Sequence, residues 1–144
     1  MNVQKLIENI KAIGGRVTKT RTAVLDCLLT SKQPLAAAVI LERLKKKQIS
    51  VNRTTVYREI AFLVEHNFVR EVRLLGQASL FELAQGHHHH LICTRCDCVK
   101  TIAMGDHLHE QEQKIGRKEK FEITGHSLEF YGLCDKCRSH RTDQ

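Results

Sequence analysis

Residues 52–65 read NRTTVYREIAFLVE, and this stretch decides the fold of the first half of the chain. Four of its apolar side chains recur at i, i+4, i+7 and i+8, which places them on one face of a helix. They are Val56, Ile60, Leu63 and Val64. Asn52 is a residue type that caps helices, so we predict a helix over about 53–66 with one buried side.

The opposite side of this helix carries polar side chains near its N-terminus. They are Arg53, Thr54, Thr55, Tyr57 and Arg58. Side chains of these types bond to phosphates and base edges, and a helix N-terminus adds partial positive charge. The pattern predicts a recognition helix that lies in the major groove of DNA.

The segments around this helix complete a predicted winged helix-turn-helix. The spacing of apolar residues predicts three earlier helices, over about 2–13, 19–30 and 36–47. Residues 68–75 and 79–84 are predicted to form two strands around a turn at Gly76-Gln77. A small helical domain with a solvated basic face is the alternative, but the helix order and the hairpin favour DNA binding.

Charge and metal-binding residue types are distributed unevenly along the chain, whose net charge is +7. Residues 1–84 carry 14 Lys and Arg against 7 Asp and Glu, whereas residues 85–144 carry 9 of each sign. Five of six cysteines and eight of nine histidines follow residue 84. We therefore predict a DNA-binding domain over 1–84 and a metal-binding domain over 85–144.

Two Cys-x-x-Cys pairs lie in the second half, with 37 residues between them. They are Cys93 with Cys96, and Cys134 with Cys137. Two such pairs complete a tetrahedral sulfur site for Zn²⁺, and four thiolates leave no open position, so we predict a structural zinc. Four unrelated buried thiols are the alternative reading.

Four consecutive histidines, residues 87–90, precede the first cysteine pair. The alternative explanations for the histidine run are an expression tag and a solvated loop, but imidazoles this close to thiols favour metal binding. Alternate side chains of a strand face opposite ways, so the run offers two imidazole pairs to two sites. Glu82 could join His88 and His90, while His109 and His126 could join His87 and His89. Such sites suit Fe²⁺, Zn²⁺, Mn²⁺ or Ni²⁺.

Residues 106–119 are predicted to form a helix, and residues 121–134 two strands around Gly125, which makes the predicted fold class α+β. The N-terminal stretch lacks the apolar core of a signal peptide, and no apolar run could cross a bilayer. We expect a cytoplasmic protein without membrane contact. The stretch HEQEQ (109–113) has Gln where a helical zinc protease needs its second His, so we do not expect an enzyme.

Several motifs together resemble the ferric uptake regulator (Fur) family of metal-responsive repressors. They are GGRVTKTR (14–21), TTVYREI (54–60), FEL (81–83), HHHHLICTRC (87–96), GHSLEFYGLC (125–134) and the closing Cys-x-x-Cys. The resemblance implies a homodimer held by the domain over 85–144, and a winged helix that binds an AT-rich palindromic operator. It also implies a corepressor metal that stabilises the DNA-binding arrangement.

The resemblance also implies roles for individual residues. The DNA contacts are Arg16, Thr55, Tyr57 and Arg58. The structural zinc ligands are Cys93, Cys96, Cys134 and Cys137. The regulatory ligands are Glu82, His88 and His90, with Gln33 as a candidate weak oxygen ligand where the family commonly has His. The additional site has His87, His89, His109 and His126.

The expected function is a metal-dependent transcriptional repressor of metal homeostasis, of the zinc or iron uptake type. His89 and His109 stand where iron sensors often have acidic residues, which favours Zn²⁺ slightly over Fe²⁺ and Mn²⁺. A peroxide or redox sensor of the same family is the first alternative, although Thr101 stands where peroxide sensors carry Asp or Glu. A metal-storage or metallochaperone module is the second.

Overall fold

The structure is a computed structural model that describes residues 2–73, 78–86, 88–105, 108–126 and 128–139. The chain divides into two compact units, Met1–Gln85 and Gly86–Gln144. Among the described residues, no helix has the length and apolar character that a bilayer span requires. Each unit has its own helices and its own three-stranded sheet.

Four helices form most of the N-terminal unit, and each lies within the range predicted from apolar spacing. They are α1 (Val3–Ala12), α2 (Lys19–Leu29), α3 (Ala37–Lys46) and α4 (Arg53–Glu65). Side-chain caps fix where α2 and α4 begin. The hydroxyl of Thr18 accepts from the N–H of Arg21, and the side chain of Asn52 accepts from the N–H of Thr55.

Two glycines end α1 and allow the chain to approach α4 closely. The N–H of Gly14 donates to the carbonyl of Lys11, and the N–H of Gly15 donates to that of Ile10, with Gly14 at φ +76°. This bond pair is the Schellman motif, which needs a left-handed residue. A Cβ on Gly15 would lie 2.8 Å from Ile10 Cγ2 and 3.0 Å from Phe62 Cζ, so a side chain there would push the segments apart.

The sheet of this unit is antiparallel and has the strand order β1-β3-β2. Its strands are β1 (Leu35–Ala36), β2 (Val69–Val72) and β3 (Leu80–Leu83). The two predicted wing strands are present as β2 and β3, with Arg70 opposite Glu82. The short β1, which the sequence did not predict, pairs with the other edge of β3. The predicted turn at Gly76-Gln77 lies outside the described residues.

An apolar core lies between the helices and the sheet of the N-terminal unit. Its fully buried side chains include Leu25, Ile40, Leu44, Ile60 and Leu63. Each such side chain contributes roughly 1.5–3 kcal/mol through removal from water. Because the apolar side of α4 packs into this core, its polar side faces outward.

The C-terminal unit has a mixed sheet of strand order β5-β4-β6. Its strands are β4 (His89–Cys93), β5 (Val99–Ile102) and β6 (Glu129–Gly132). The central strand β4 is antiparallel to β5 and parallel to β6. Two helices, α5 (Leu108–Glu119) and α6 (Asp135–Ser139), complete the unit. The α+β class predicted from the sequence is confirmed.

Two predictions for this unit need correction or lie partly outside the description. Residues 121–126 form no strand, so β6 is the one strand found where two were predicted around Gly125. The first segment has no paired neighbour in the sheet, and Phe121 is 69% exposed. Helix α5 is described from Leu108, because residues 106 and 107 lie outside the described part of the chain.

Candidate functional sites

The exposed side of α4 presents cationic and hydrogen-bonding groups. Its first turn contains no acidic residue, and Arg53, Tyr57 and Arg58 are exposed while Thr55 is half-buried. The guanidinium of Arg53 donates to the hydroxyl of Tyr57 at 3.4 Å and lies 5.3 Å from its ring centroid. The unneutralised helix N-terminus adds positive potential, so this surface is suited to a polyanion.

Arg21 ties the segment before α2 to the recognition helix predicted from the sequence. Its Nε donates to Glu59 on α4 at 2.6 Å, and its Nη1 donates to the carbonyl of Arg16 at 2.6 Å. The same guanidinium lies 3.5 Å from the ring centroid of Phe62. Arg16 itself is exposed, so one buried arginine fixes the backbone of a second arginine that faces solvent.

The four predicted zinc ligands come together in the C-terminal unit. The sulfur atoms of Cys93, Cys96, Cys134 and Cys137 all lie within 4.8 Å of one another. Sulfurs bound to one zinc at about 2.3 Å are separated by about 3.8 Å in a tetrahedron. The sulfurs of Cys96 and Cys134 are 3.7 Å apart, so the quartet fits a tetrahedral ion.

Local backbone structure places these thiols. The 93–96 segment turns at the end of β4, and the N–H of Cys134 donates to the sulfur of Cys93 at 3.3 Å. Across the same loop the guanidinium of Arg95 donates to the carbonyl of Cys137 at 3.1 Å, and the N–H of Thr94 donates to that of Gly132 at 2.8 Å. The two Cys-x-x-Cys loops are therefore held together by hydrogen bonds between their backbones and side chains.

The thiols differ in how readily they lose a proton. Hydrogen bonds from backbone N–H groups lower the pKa of Cys93 to about 6, and the N–H of Cys134 has the largest effect. The backbone N–H of Cys137 likewise lowers the pKa of Cys134. Burial, reinforced by hydrogen bonds with the other thiols, raises the pKa of Cys137 to about 12. Loss of the proton is thus favoured at these two lowered sulfurs, and the thiolate is the form that binds zinc.

Cys98 is close to the quartet but is not part of it. The described cluster of four sulfurs omits this thiol. Its hydrogen bond with Cys96, together with burial, raises the pKa of Cys98 to about 12, so it favours the protonated form. Its backbone carbonyl accepts from the N–H of Cys93 at 3.0 Å, which closes the turn that carries the first cysteine pair.

The residues predicted for a regulatory site are distributed over both units. In the C-terminal unit, the rings of His88 and His90 meet edge to face with centroids 5.2 Å apart. In the N-terminal unit, Glu82 is buried on β3 and its carboxylate lies 3.1 Å from Nε of Arg70. Gln33 is exposed in the turn before β1.

The described residues of the predicted additional site lie in the C-terminal unit. The rings of His89 and His126 stack with centroids 5.5 Å apart, and His89 is fully buried. Nδ1 of His126 is 2.6 Å from Oε1 of Glu112, and Nε2 of His109 is 2.9 Å from the amide nitrogen of Gln113. His87, the fourth predicted ligand, lies outside the described residues.

Sequence reasoning missed three side chains that shape these sites. Arg21 and Glu59 form their ion pair across 38 positions of the chain, so no local pattern announces it. Glu112 follows His109 by three positions on α5, which is a neighbouring position on a helix surface. That spacing could have placed a carboxylate beside the predicted ligands.

The chain is similar to known proteins in both sequence and fold. A sequence profile described as the ferric uptake regulator family matches residues 12–131. The chain is 34% identical to the ferric uptake regulation protein of Legionella pneumophila, covering 91% of this chain and 97% of that protein. It is 29% identical to the peroxide operon regulator of Bacillus subtilis (strain 168), covering 94% and 92%.

The fold is also that of a solved relative. The structure of the ferric uptake regulator from Helicobacter pylori matches with a TM-score of 0.80 at 22% identity, and the match covers 96% of this chain and 95% of that one. The resemblance inferred from the sequence motifs is confirmed. The chain therefore belongs to the ferric uptake regulator family of metal-responsive regulators.

Proposed function

We propose that the protein is a repressor that binds operator DNA when an exchangeable divalent metal ion occupies a regulatory site. One observation carries this proposal. The four thiols form a closed cluster of their own, so the imidazole pair of His88 and His90 belongs to a separate group of candidate metal ligands. A closed tetrahedral site is structural, whereas an imidazole-carboxylate site exchanges and reports metal availability.

DNA binding is assigned to the exposed side of α4 and to Arg16. Tyr57 and Arg58, with Thr55 beside them, reach base edges and phosphates in the major groove, and Arg16 reaches toward the minor groove. The exposed cations and the unneutralised N-terminus of α4 support this assignment. The 14 Lys and Arg in residues 1–84 supply the wider positive field.

Glu82, His88 and His90 are proposed to bind one regulatory ion, with Gln33 as a candidate further ligand. The carboxylate of Glu82 is paired with Arg70 in the structure described here, so the ion competes with that guanidinium. An ion that binds one arrangement of the two units better than another shifts a pre-existing equilibrium. A nearly complete switch needs about 5.5 kcal/mol of differential binding, which several ligands together supply.

A homodimer is proposed to form through the C-terminal unit. Leu91 on β4 and Phe130 on β6 are neighbours in the sheet, and each is 39% exposed. Tyr131, Ile115 and Phe121 are exposed as well. Apolar side chains exposed side by side, as Leu91 and Phe130 are, mark an interaction surface. Two copies related by a two-fold axis would present two recognition helices to a palindromic, AT-rich operator.

The ion sensed is proposed to be Zn²⁺ or Fe²⁺, with Mn²⁺ as a third candidate. Imidazole donors suit several of these ions, and the order of affinities does not choose among them. A peroxide-sensing function is the second candidate, because one relative is a peroxide operon regulator. Mass spectrometry after mild peroxide treatment distinguishes a peroxide sensor from a metal-uptake repressor. A peroxide sensor would gain oxygen on a ligand histidine or lose zinc from oxidised cysteines.

The decisive experiment is fluorescence anisotropy with a labelled AT-rich palindromic duplex. Zinc-loaded protein is titrated onto the duplex after exchangeable metal has been removed, and again with Zn²⁺, Fe²⁺ or Mn²⁺ added. We expect at least a tenfold gain in affinity with the sensed ion. Equal affinities with and without every ion would end the repressor-switch proposal.

Two variants test which residues contact the DNA and which bind the regulatory ion. Arg58→Ala should weaken binding of the metal-loaded protein by roughly 1–3 kcal/mol, the range for a base-edge contact. Glu82→Gln should leave the affinity of the metal-free protein unchanged and remove the metal-dependent gain. Lys118→Ala is the matched control, because Lys118 is a strongly exposed cation on α5 of the other unit.

A further inference from the structure

A carboxylate outside the predicted ligand set lies among the histidines of the additional site. Oε1 of Glu112 is 2.6 Å from Nδ1 of His126, and its Oε2 is 4.0 Å from Nδ1 of His109. The side chains of Glu112 and His126 are 24% and 21% exposed, so water competes only partly for this contact. The pairing links α5 to the segment before β6, 14 positions along the chain.

The short contact determines which nitrogen of His126 carries a hydrogen. An ionised carboxylate has no hydrogen to donate and can only accept. Nδ1 of His126 must therefore be the donor, and in the neutral ring the lone pair is on Nε2. Histidines that bind metal ions generally donate their other ring N–H to a carboxylate or carbonyl, which fixes the ring and raises its basicity.

The neighbouring histidines are held differently. His89 is stacked on His126 with centroids 5.5 Å apart, so a buried and a half-buried imidazole lie side by side. Nε2 of the exposed His109 is instead engaged by the amide of Gln113 at 2.9 Å. Imidazole donors fit a borderline cation such as Zn²⁺ or Co²⁺. The stacked rings of His89 and His126 lie further from solvent than the ring of His109.

We propose that Glu112 is a positioning residue of the additional site: its carboxylate accepts the Nδ1 hydrogen of His126 and so presents Nε2 of that ring to a divalent cation. The proposal rests on the part of the proposed function in which this chain takes exchangeable ions besides the structural zinc. It adds an acidic group, acting through a histidine, to a site that the sequence pattern described as all-imidazole.

The test is a Co²⁺ titration of the full chain with its structural zinc retained. Glu82→Gln and His88→Ala first disable the regulatory site, so that Co²⁺ absorbance reports the additional site. In this background, Glu112→Gln should weaken Co²⁺ binding about 10–100-fold, the usual effect of removing an outer partner of a ligand histidine. Glu110→Gln, an exposed carboxylate on the same helix, is the matched control and should leave binding unchanged.

A second measurement separates positioning from simple attachment of α5. Nitrogen-15 NMR of the protein with its structural zinc retained and no Co²⁺ added should show His126 protonated at Nδ1 in the parent and a mixture of ring tautomers in Glu112→Gln. The thermal midpoint of this variant, with only the structural zinc bound, should change far less than its Co²⁺ affinity. If Co²⁺ affinity is unchanged while the midpoint falls, Glu112 only attaches the helix and the proposal is wrong.

The outcomes are distinct from those that test the repressor proposal. No DNA is present in this titration. A protein whose DNA affinity does not depend on metal could therefore still show weaker Co²⁺ binding in Glu112→Gln. Absence of Co²⁺ binding in the background variant, or binding that Glu112→Gln does not weaken, overturns the inference. Either result leaves the anisotropy experiment on the intact regulatory site unaffected.

Discussion

Each of the two units has helices and one three-stranded sheet, but the units are stabilised in different ways. In the N-terminal unit, 17 buried residues form one apolar cluster between four helices and a sheet. In the C-terminal unit, the described buried residues are Ile92 and Val99 together with two cysteines and two histidines. Helix α5 has no buried residue at all. Apolar burial stabilises the first unit, whereas the second depends on groups that bind metal.

The difference in stabilisation is consistent with the two roles proposed for this chain, DNA binding and metal sensing. A unit with its own apolar core keeps the shape of its DNA-binding surface whatever the metal supply. A unit with few buried apolar side chains gains its stability from ion binding, because ligands brought together by folding release binding free energy. In the proposed function, the histidine ligands of the exchangeable ion lie in this second unit, while Glu82 lies in the first.

Removal of the structural zinc should have the largest effect, and it tests whether the two units are stabilised independently. Chelation, or Cys93→Ser, should unfold the C-terminal unit, since a structural zinc contributes about 10–16 kcal/mol of apparent binding free energy. The amide NMR signals of residues 3–65 should remain dispersed while those of residues 89–139 collapse. Uniform loss of both sets would show that the N-terminal unit is not stable by itself.

The reverse experiment uses the apolar core. Leu44→Ala removes a fully buried side chain of α3 and should destabilise the N-terminal unit by about 2–5 kcal/mol. Zinc content, measured by elemental analysis, should not change. Val39→Ala, on the same helix but 37% exposed, is the control and should cost less than half as much in chemical denaturation. Zinc loss in Leu44→Ala would contradict independent stabilisation of the units.

The Arg21–Glu59 ion pair contributes to the stability of the N-terminal unit in addition to its apolar core. Glu59→Gln leaves a guanidinium that is only 10% exposed without its anionic partner, so we expect a loss of about 1–3 kcal/mol. Because Arg21 also bonds to the carbonyl of Arg16, DNA affinity should fall further than stability alone explains. Urea unfolding and anisotropy on the same variant measure both effects, with Glu65→Gln on α4 as the control.

The smallest effect concerns pH and the metal-free thiols. The pKa of Cys93 is lowered to about 6 in the folded chain from an ordinary value near 9. A lowered pKa stabilises the fold above the unfolded value, and this contribution is lost as pH falls toward 6. In a short pulse given directly on chelation, before the C-terminal unit has unfolded, iodoacetamide should label Cys93 at pH 7, while Cys98 and Cys137 should resist until well above pH 9.

Peptide mass spectrometry after a short pulse of the reagent gives the order of labelling. Reaction of all three thiols at the same pH would show that the N–H groups around Cys93 do not hold it as a thiolate. Labelling in the zinc-loaded protein is the control, because coordinated sulfurs react slowly at every pH tested.

Local patterns predicted the elements that local forces determine. The apolar stripe of α4 and the Asn52 cap each lie within one short segment, and each is present as predicted. The strand β1 and the absence of a strand over 121–126 were missed, because pairing partners far along the chain decide them. Strand formation depends on a neighbouring edge more than on composition.

The sequence by itself determined the family, the α+β class, the helix α4 with its polar side and the four cysteines whose sulfurs come together, because residue type and spacing alone encode them. Only the tertiary structure decided which charges meet. Arg21 reaches Glu59, and Glu112 reaches His126, because packing brings separate segments to hydrogen-bonding distance. Electrostatic energy falls steeply with separation and with exposure to water, so such partners are set by the fold and cannot be counted from the sequence.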